Sequence, residues 1–196
     1  MPTLTNKDIA WTLKELKEKI KNSRGFKICI NQNSRNFENW IQVELCGILS
    51  TADVIARNRY KIKVERTING RRASDIVICD NDEKILCAIE IKPFPYGGEG
   101  GSSPSEVNKD IVKLKDSPYA INAQKILLCI AYQRLEKNPE KKWKTDNIND
   151  STYEKDIKES IKKHTGAVVV PQLDSFSINR SDGNASIPVF LEFFCF

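Results

Sequence analysis

The stretch ASDIVICDNDEKILCAIEIKPF, at residues 73–94, decides the fold of this chain. It holds two runs of β-branched and other apolar residues on either side of the turn-forming segment CDNDEK, a pattern that predicts an antiparallel hairpin. Opposed residues in such a hairpin have numbers that sum to a constant. With the turn centred in CDNDEK the constant is 165. Asp75 then lies directly opposite Glu90, and Lys92 lies one pleat further along the same face.

The charges of this hairpin stand among residues that belong in a protein core, since Glu90 and Lys92 are part of ILCAIEIKPF. Burying an ionised side chain costs several kcal/mol unless another group compensates the charge. Two carboxylates about 5 Å apart across a strand pair are typical of a site for a divalent cation. The sequence therefore predicts a cation site at Asp75 and Glu90 with Lys92 beside it, provided that the hairpin register holds.

A helix predicted at about 35–50 carries an acid where an apolar residue is expected. At 100° per residue, Glu44 falls about 20° from Phe37 and inside the apolar stripe of this helix. A carboxylate in that stripe is explained if it faces the cation site. Glu38, about 100° from Phe37, lies near the edge of the stripe and is the weaker candidate.

The other segments complete one mixed α/β domain spanning residues 1–196. Thr5 and Asp8 form a capping box before the first helix. The predicted elements, in chain order, are helices at about 6–22 and 35–50, strands within 53–66, 73–80 and 84–94, a helix at 106–116, a strand at 124–132, a helix at 152–165, and strands at 167–171 and 186–196.

Asp75, fourteen further residues and then Glu90-Ile91-Lys92 resemble the catalytic signature of the PD-(D/E)XK nuclease superfamily. The restriction-endonuclease-like core of that family has a mixed central β-sheet flanked by helices, in the order αβββαβ. Residues 35–132 reproduce this order, which covers about half of the chain. The N-terminal helix and a C-terminal extension of one helix and strands lie outside the resemblance.

The resemblance implies Mg²⁺-dependent hydrolysis of phosphodiester bonds, with Mn²⁺ as a substitute. Asp75 and Glu90 would bind one or two metal ions, the main-chain carbonyl of Ile91 would add a ligand, and Glu44 matches the acid that the first core helix often contributes. A bound metal ion polarises the phosphate and lowers the pKa of its water. Lys92 would either stabilise the attacking hydroxide or accept its proton, and the sequence leaves both roles open.

Basic residues surround the start of the hairpin, and six of them are candidates for contact with nucleic acid: Arg57, Arg59, Lys61, Lys63, Arg71 and Arg72. The first four occupy alternate positions of the predicted strand 53–66 and would share one face that leads towards Asp75. Such a stripe suits the phosphate backbone of DNA. The alternative is the solvated face of a half-exposed strand.

Composition excludes several other kinds of chemistry. The chain has 31 Lys and Arg, 26 Asp and Glu, a formal charge of +5 and one histidine, His164, which rules out zinc sites that need several histidines. Its six cysteines form no C-x-x-C pair and are expected to be reduced core thiols. The longest apolar run, 126–132, is far shorter than the ~20 residues of a membrane helix. We therefore expect a cytoplasmic chain without membrane contact.

Taken together, these features predict a Mg²⁺-dependent DNA endonuclease that is restriction-like or acts on foreign or mobile DNA. Cutting both strands with one site per chain favours a homodimer. The main alternative is a nucleic-acid-binding subunit of the same fold, whose nuclease activity is absent or depends on a partner chain. A third reading is an enzyme that acts on RNA or on single strands.

Overall fold

The structure, a computed structural model, describes residues 3–31, 37–68, 71–96, 109, 111–112, 114–116, 122–133, 158–159, 161, 163, 168–169, 174–179 and 186–195. One mixed sheet is flanked by helices, which confirms the predicted mixed α/β class. In the part of the chain that is described, no helix is long and apolar enough to cross a membrane.

The helices with defined bounds are α1 (Asn6–Asn22), α2 (Arg24–Asn31), α3 (Phe37–Ser50) and α4 (Asp53–Asn58). The capping box at the start of α1 is confirmed, because the Thr5 hydroxyl accepts from the Asp8 N–H and the Asp8 carboxylate accepts from the Thr5 N–H. Described positions near 111–115 and 159–163 are also helical, inside two segments predicted as helices.

Within the described ranges, the sheet has seven strands: β1 (Lys61–Ile68), β2 (Arg71–Cys79), β3 (Ile85–Tyr96), β4 (Gln124–Gln133), β5 (Val168–Val169), β6 (Asp174–Asn179) and β7 (Ser186–Cys195). Their order is β1-β2-β3-β4-β7-β5, and β6 also pairs with β7. The β3–β4 pair is parallel and the other pairs are antiparallel. A parallel neighbour requires a crossover connection, which the helical positions near 111–115 supply between β3 and β4.

Alternate residues of the central strands face two different layers. One face, which we name the α3 face, belongs to the main core with α1 and α3 and carries Ile76, Ile78, Ile89 and Ile91. The opposite face, which we name the Leu114 face, packs on Leu114 and carries Val77, Cys79, Ile85 and Ala88. This division decides which side chains reach the candidate site.

The predicted strand at 53–66 is wrong over its first half, where α4 forms instead. Asp53 stands in the first turn of α4 and its carboxylate pairs with Arg57 one turn later, at 2.9 Å. The helix ends at Arg59, whose φ of 53° is left-handed, and β1 begins at Lys61. The β-branched residues of this segment favour a strand, but Ile55 packs into the main core from the helix, and the Asp53–Arg57 pair and the left-handed cap add to its stability. Helix α2 and strand β6 were not predicted.

The turn between β2 and β3 is stabilised by side chains. The Asp80 carboxylate accepts hydrogen bonds from the N–H groups of Asp82 and Lys84. Glu83 has a φ of 66° and pairs with Lys61 at 3.1 Å and with Lys63, both on the neighbouring strand β1. These two lysines lower the pKa of the Glu83 carboxyl from 4.5 to about 2, chiefly through hydrogen bonds.

We expect Glu83 to make the stability of the chain depend on pH in the acid range. Its folded-state pKa lies below the ordinary value, so its contribution is present above about pH 4.5 and is lost as the pH falls towards 2. The Tm difference between the wild type and Glu83→Gln should be largest near neutral pH and should vanish near pH 2. A Tm difference that stays constant over this range would contradict the assignment.

Candidate active site

The candidate site lies where β2 and β3 separate. Their antiparallel pairing begins with Cys79 opposite Ile85 and ends with Ile76 opposite Ile89. In the pairs next to the site, the two residue numbers sum to 165. This confirms the predicted register and places Asp75 level with Glu90. Both strands continue beyond this point, β2 back to Arg71 and β3 on to Tyr96. The two carboxylates therefore stand at the opening of the strand pair.

Asp75 is held from two directions. Its side chain is 1% exposed, and its Oδ2 accepts a hydrogen bond of 2.7 Å from the N–H of Ile91 on β3. Its main-chain oxygen accepts a hydrogen bond of 2.6 Å from the Nε2 of Gln42, a buried residue of α3. Where β2 and β3 no longer pair, the Asp75 carboxylate thus takes the place of a main-chain carbonyl as the acceptor of the Ile91 N–H. A charge-assisted bond of this kind fixes its orientation.

Glu90 and Lys92 follow the alternation of β3. Ala88 lies on the Leu114 face, so Glu90 and Lys92, two and four residues later, lie on that face too. Asp75 shares this face because Val77 does. Glu90 is 6% exposed and Lys92 is half-buried, so the lysine is the more accessible of the two. The structure thus brings the hairpin residues of the predicted site to one face.

The donors at this site are hard oxygen atoms. The Asp75 and Glu90 carboxylates and the Ile91 carbonyl are the ligand types that Mg²⁺ and Mn²⁺ accept. The Ile91 N–H donates to Oδ2 of Asp75, which orients the carboxylate on this face. Within the described ranges, no three His, Cys, Asp or Glu side chains are grouped so as to hold a metal ion. The donor set fits Mg²⁺, which usually keeps several waters and takes only one or two protein carboxylates.

Glu44 is not placed at this site, contrary to the expectation from the α3 stripe. Its carboxylate is 27% exposed and pairs with Lys19 of α1 at 3.6 Å. Glu44 lies in the apolar stripe because α1 packs on this side of α3, and a helical wheel drawn for α3 alone does not show that contact. Glu44 is also about 200° from Gln42 around the helix, and Gln42 is the α3 residue that contacts Asp75.

The basic stripe is broken up as well. Arg57 lies on α4 in an exposed pair with Asp53, and Arg59 caps that helix, so neither shares a strand with the lysines. Lys61 and Lys63 do lie on β1, level with Cys79 and Val77 and hence on the Leu114 face, but both pair with Glu83. The predicted face shared by all four residues is therefore wrong.

The remaining predicted positions are described only in part. Arg71 and Arg72 pair through their backbones with Ile68 and Thr67 of β1, and their side chains lie outside the described residues. His164 lies outside them too.

The described cysteines are thiols that form no disulfide bond with one another, in line with the prediction: Cys46, Cys79, Cys87, Cys129 and Cys195. Burial raises the pKa of Cys46 and Cys195 to about 11, and it raises the pKa of Cys87 further. Because the thiolate is the reactive form, these three groups are poor nucleophiles at neutral pH. They belong to the packing of the sheet.

Two buried polar residues near the site were missed from the sequence. Gln42 stands at the i−3 position of Leu45 on the buried side of α3, so its polarity within an apolar pattern was a signal. Glu192 is the single charge in SIPVFLEFFCF and is fully buried on β7. The argument that singled out Glu90, an acid inside an apolar strand, applies equally to Glu192.

Comparison of the chain with protein-family models, with curated proteins and with solved structures gives no significant match.

Proposed function

We propose that this chain is a Mg²⁺-dependent DNA endonuclease with a restriction-endonuclease-like core at residues 35–132. One observation carries the proposal: the hairpin register brings Asp75 and Glu90 to the same face, at the point where β2 and β3 part, with Lys92 one pleat away. Apart from the short helix α4 inserted between α3 and β1, the order of α3, β1, β2, β3, the helical positions near 111–115 and β4 is that expected of the αβββαβ core of that family.

The chemistry proposed is the hydrolysis of a phosphodiester bond. Asp75 and Glu90 would hold the metal ion, with the Ile91 carbonyl as a further donor, and Mn²⁺ is expected to replace Mg²⁺. The metal supplies charge to the phosphate and acidity to a water. Hydrogen bonds from Gln42 and Ile91 keep Asp75 in place before substrate arrives, so the site needs little reorganisation. Lys92, which is half-buried one pleat from Glu90, would act on the attacking water.

Duplex DNA is the proposed substrate because a basic chain attracts a polyanion. The formal charge of +5 supports contact with phosphates. Lys61 and Lys63 lie on the Leu114 face too, where a phosphate would have to replace Glu83 as their partner. One active site per chain and two strands to cut favour a homodimer. We propose that this homodimer acts in the cytoplasm, in a restriction-like manner, on foreign or mobile DNA.

The test is plasmid cleavage by the purified chain. Supercoiled DNA should be nicked or linearised with Mg²⁺ or Mn²⁺, and excess EDTA should stop the reaction. Parallel assays on single-stranded DNA and on RNA distinguish the substrate classes. Cleavage that persists in EDTA, or cleavage of RNA alone, would contradict the proposal.

A second candidate is a nucleic-acid-binding subunit whose activity depends on a partner chain. The observation that favours it is that Arg57, Lys61 and Lys63 are each paired with an acid of the same chain. A partner would then supply part of the DNA contact. Salt-dependent DNA binding by an isolated chain that does not cleave would support this candidate over the first.

A further inference from the structure

A row of side chains leads from Lys92 across the sheet to a buried acid. The parallel β3–β4 pair sets Lys92 level with Cys129, and the antiparallel β4–β7 pair sets Cys129 level with Glu192. Residues at matched positions of neighbouring strands face the same side, so Glu192 lies on the Leu114 face. Two strand spacings of about 4.8 Å put the Cα atoms of Lys92 and Glu192 about 10 Å apart.

Glu192 sits in an environment that strongly disfavours a charge. Its side chain is 0% exposed, and its Oε1 lies 3.1 Å from the Nζ of Lys158, which is 12% exposed. A buried ion pair stabilises a fold little, because the desolvation of both groups offsets their attraction. An apolar pair would serve packing as well, so the presence of two charges here calls for another reason.

The order of the charges supplies that reason. Along one face, Glu90 is followed by Lys92, then by Glu192 and finally by Lys158, so acids and bases alternate. Glu192 stands between Lys92 and the Lys158 ammonium in this row, so removing its charge leaves two cations on this face with no acid between them.

We propose that Glu192 is a positioning residue of the candidate active site. Its carboxylate keeps the Lys92 ammonium on the Leu114 face beside Glu90, while Lys158 neutralises the buried charge of Glu192. This inference rests on the proposed nuclease function for its catalytic consequence, but not for the placement of Lys92 itself.

The placement is tested by labelling lysines with an amine-acetylating reagent and following each one by peptide mass spectrometry. Glu192→Gln should label Lys92 severalfold faster than the wild type does, while Lys84, an exposed lysine on the turn, keeps its rate. Because Glu192→Gln leaves Lys158 buried without its partner and can destabilise the fold, the double variant Glu192→Gln/Lys158→Met removes both charges and should give the same result. Unchanged Lys92 labelling in the folded double variant would overturn the inference, whether or not the protein cleaves DNA.

The catalytic consequence is tested by cleavage kinetics. Glu192→Gln should lower kcat by about tenfold or more with little change in KM, because it disturbs a group that acts on the attacking water and not on DNA binding. In a Lys92→Ala background the same substitution should have no further effect, since the two residues act as a unit. Additive losses would overturn the positioning role. A wild-type chain that does not cleave at all, but whose Lys92 labelling responds to Glu192→Gln, would overturn the proposed function and leave the placement supported.

Discussion

Asp75→Asn is expected to abolish Mg²⁺-dependent cleavage, with a loss of about 10³-fold or more, and to leave the stability of the fold close to that of the wild type. The metal contributes several kcal/mol of transition-state stabilisation, and each 1.4 kcal/mol corresponds to about tenfold in rate. Asparagine keeps an oxygen that accepts the Ile91 N–H, so the contact that closes the strand opening survives.

The obvious alternative, Asp75→Ala, is a poorer experiment. It leaves the buried Ile91 N–H without its acceptor, which costs about 1–3 kcal/mol. A loss of cleavage in this variant would mix lost chemistry with lost structure. Comparing the two variants separates them: both should be inactive, and only Asp75→Ala should shift the urea unfolding midpoint. Full cleavage by Asp75→Asn would contradict the role of Asp75 in metal binding.

Glu90→Gln should also remove cleavage, and Lys92→Ala should reduce it to a small but measurable remainder, while DNA binding persists in both variants. A control of similar chemistry is Glu44→Gln, whose partner Lys19 lies on α1 in a solvent-accessible pair. Exposed pairs of this kind contribute about 0–1 kcal/mol, so this variant should cleave and fold like the wild type. Loss of activity in Glu44→Gln would restore the helix acid to the site and contradict its placement here.

The second large effect is expected at Gln42. Gln42→Leu removes the buried donor to the Asp75 carbonyl, so unfolding should become about 1–3 kcal/mol easier. Because that bond holds the backbone of a proposed metal ligand, the apparent Kd for Mn²⁺, measured by titration calorimetry on the folded protein, should rise as well.

A matched glutamine provides the control for this experiment. Gln124 is part-buried and bridges both backbone groups of Leu4, at 2.8 and 2.9 Å, away from the candidate site. Gln124→Leu should destabilise the chain by a similar amount and leave the Mn²⁺ affinity unchanged. Equal effects of the two variants on Mn²⁺ affinity would show that Gln42 acts through general stability alone.

The local parts of the fold could be predicted from the sequence because their signals are local. The capping box of α1 and the hairpin register depend on residues a few positions apart, and both are confirmed. Helix α4 was missed because DVIARN contains β-branched residues, while its helical state depends on one side-chain pair and a left-handed cap. Helix propensities of single residues take account of neither the side-chain pair nor the cap.

The non-local parts of the site could not be predicted in the same way. Whether Glu44 faces the site depends on which side of α3 packs against α1, and this is decided by tertiary packing. The contact of Gln42 with Asp75 depends on how α3 packs on the sheet, and the row from Lys92 to Glu192 depends on β7 lying beside β4, more than 50 residues away along the chain.

The most direct test of the account is the position of a bound metal ion. Crystals grown with saturating Mn²⁺ should show an anomalous difference peak between Asp75 and Glu90, with carboxylate oxygens at about 2 Å and the Ile91 carbonyl turned towards the ion. The peak should be absent from Asp75→Asn crystals grown in the same way. An ordered wild-type site without such a peak, or a Mn²⁺ ion held only by residues elsewhere, would contradict the central claim that Asp75 and Glu90 form a metal centre.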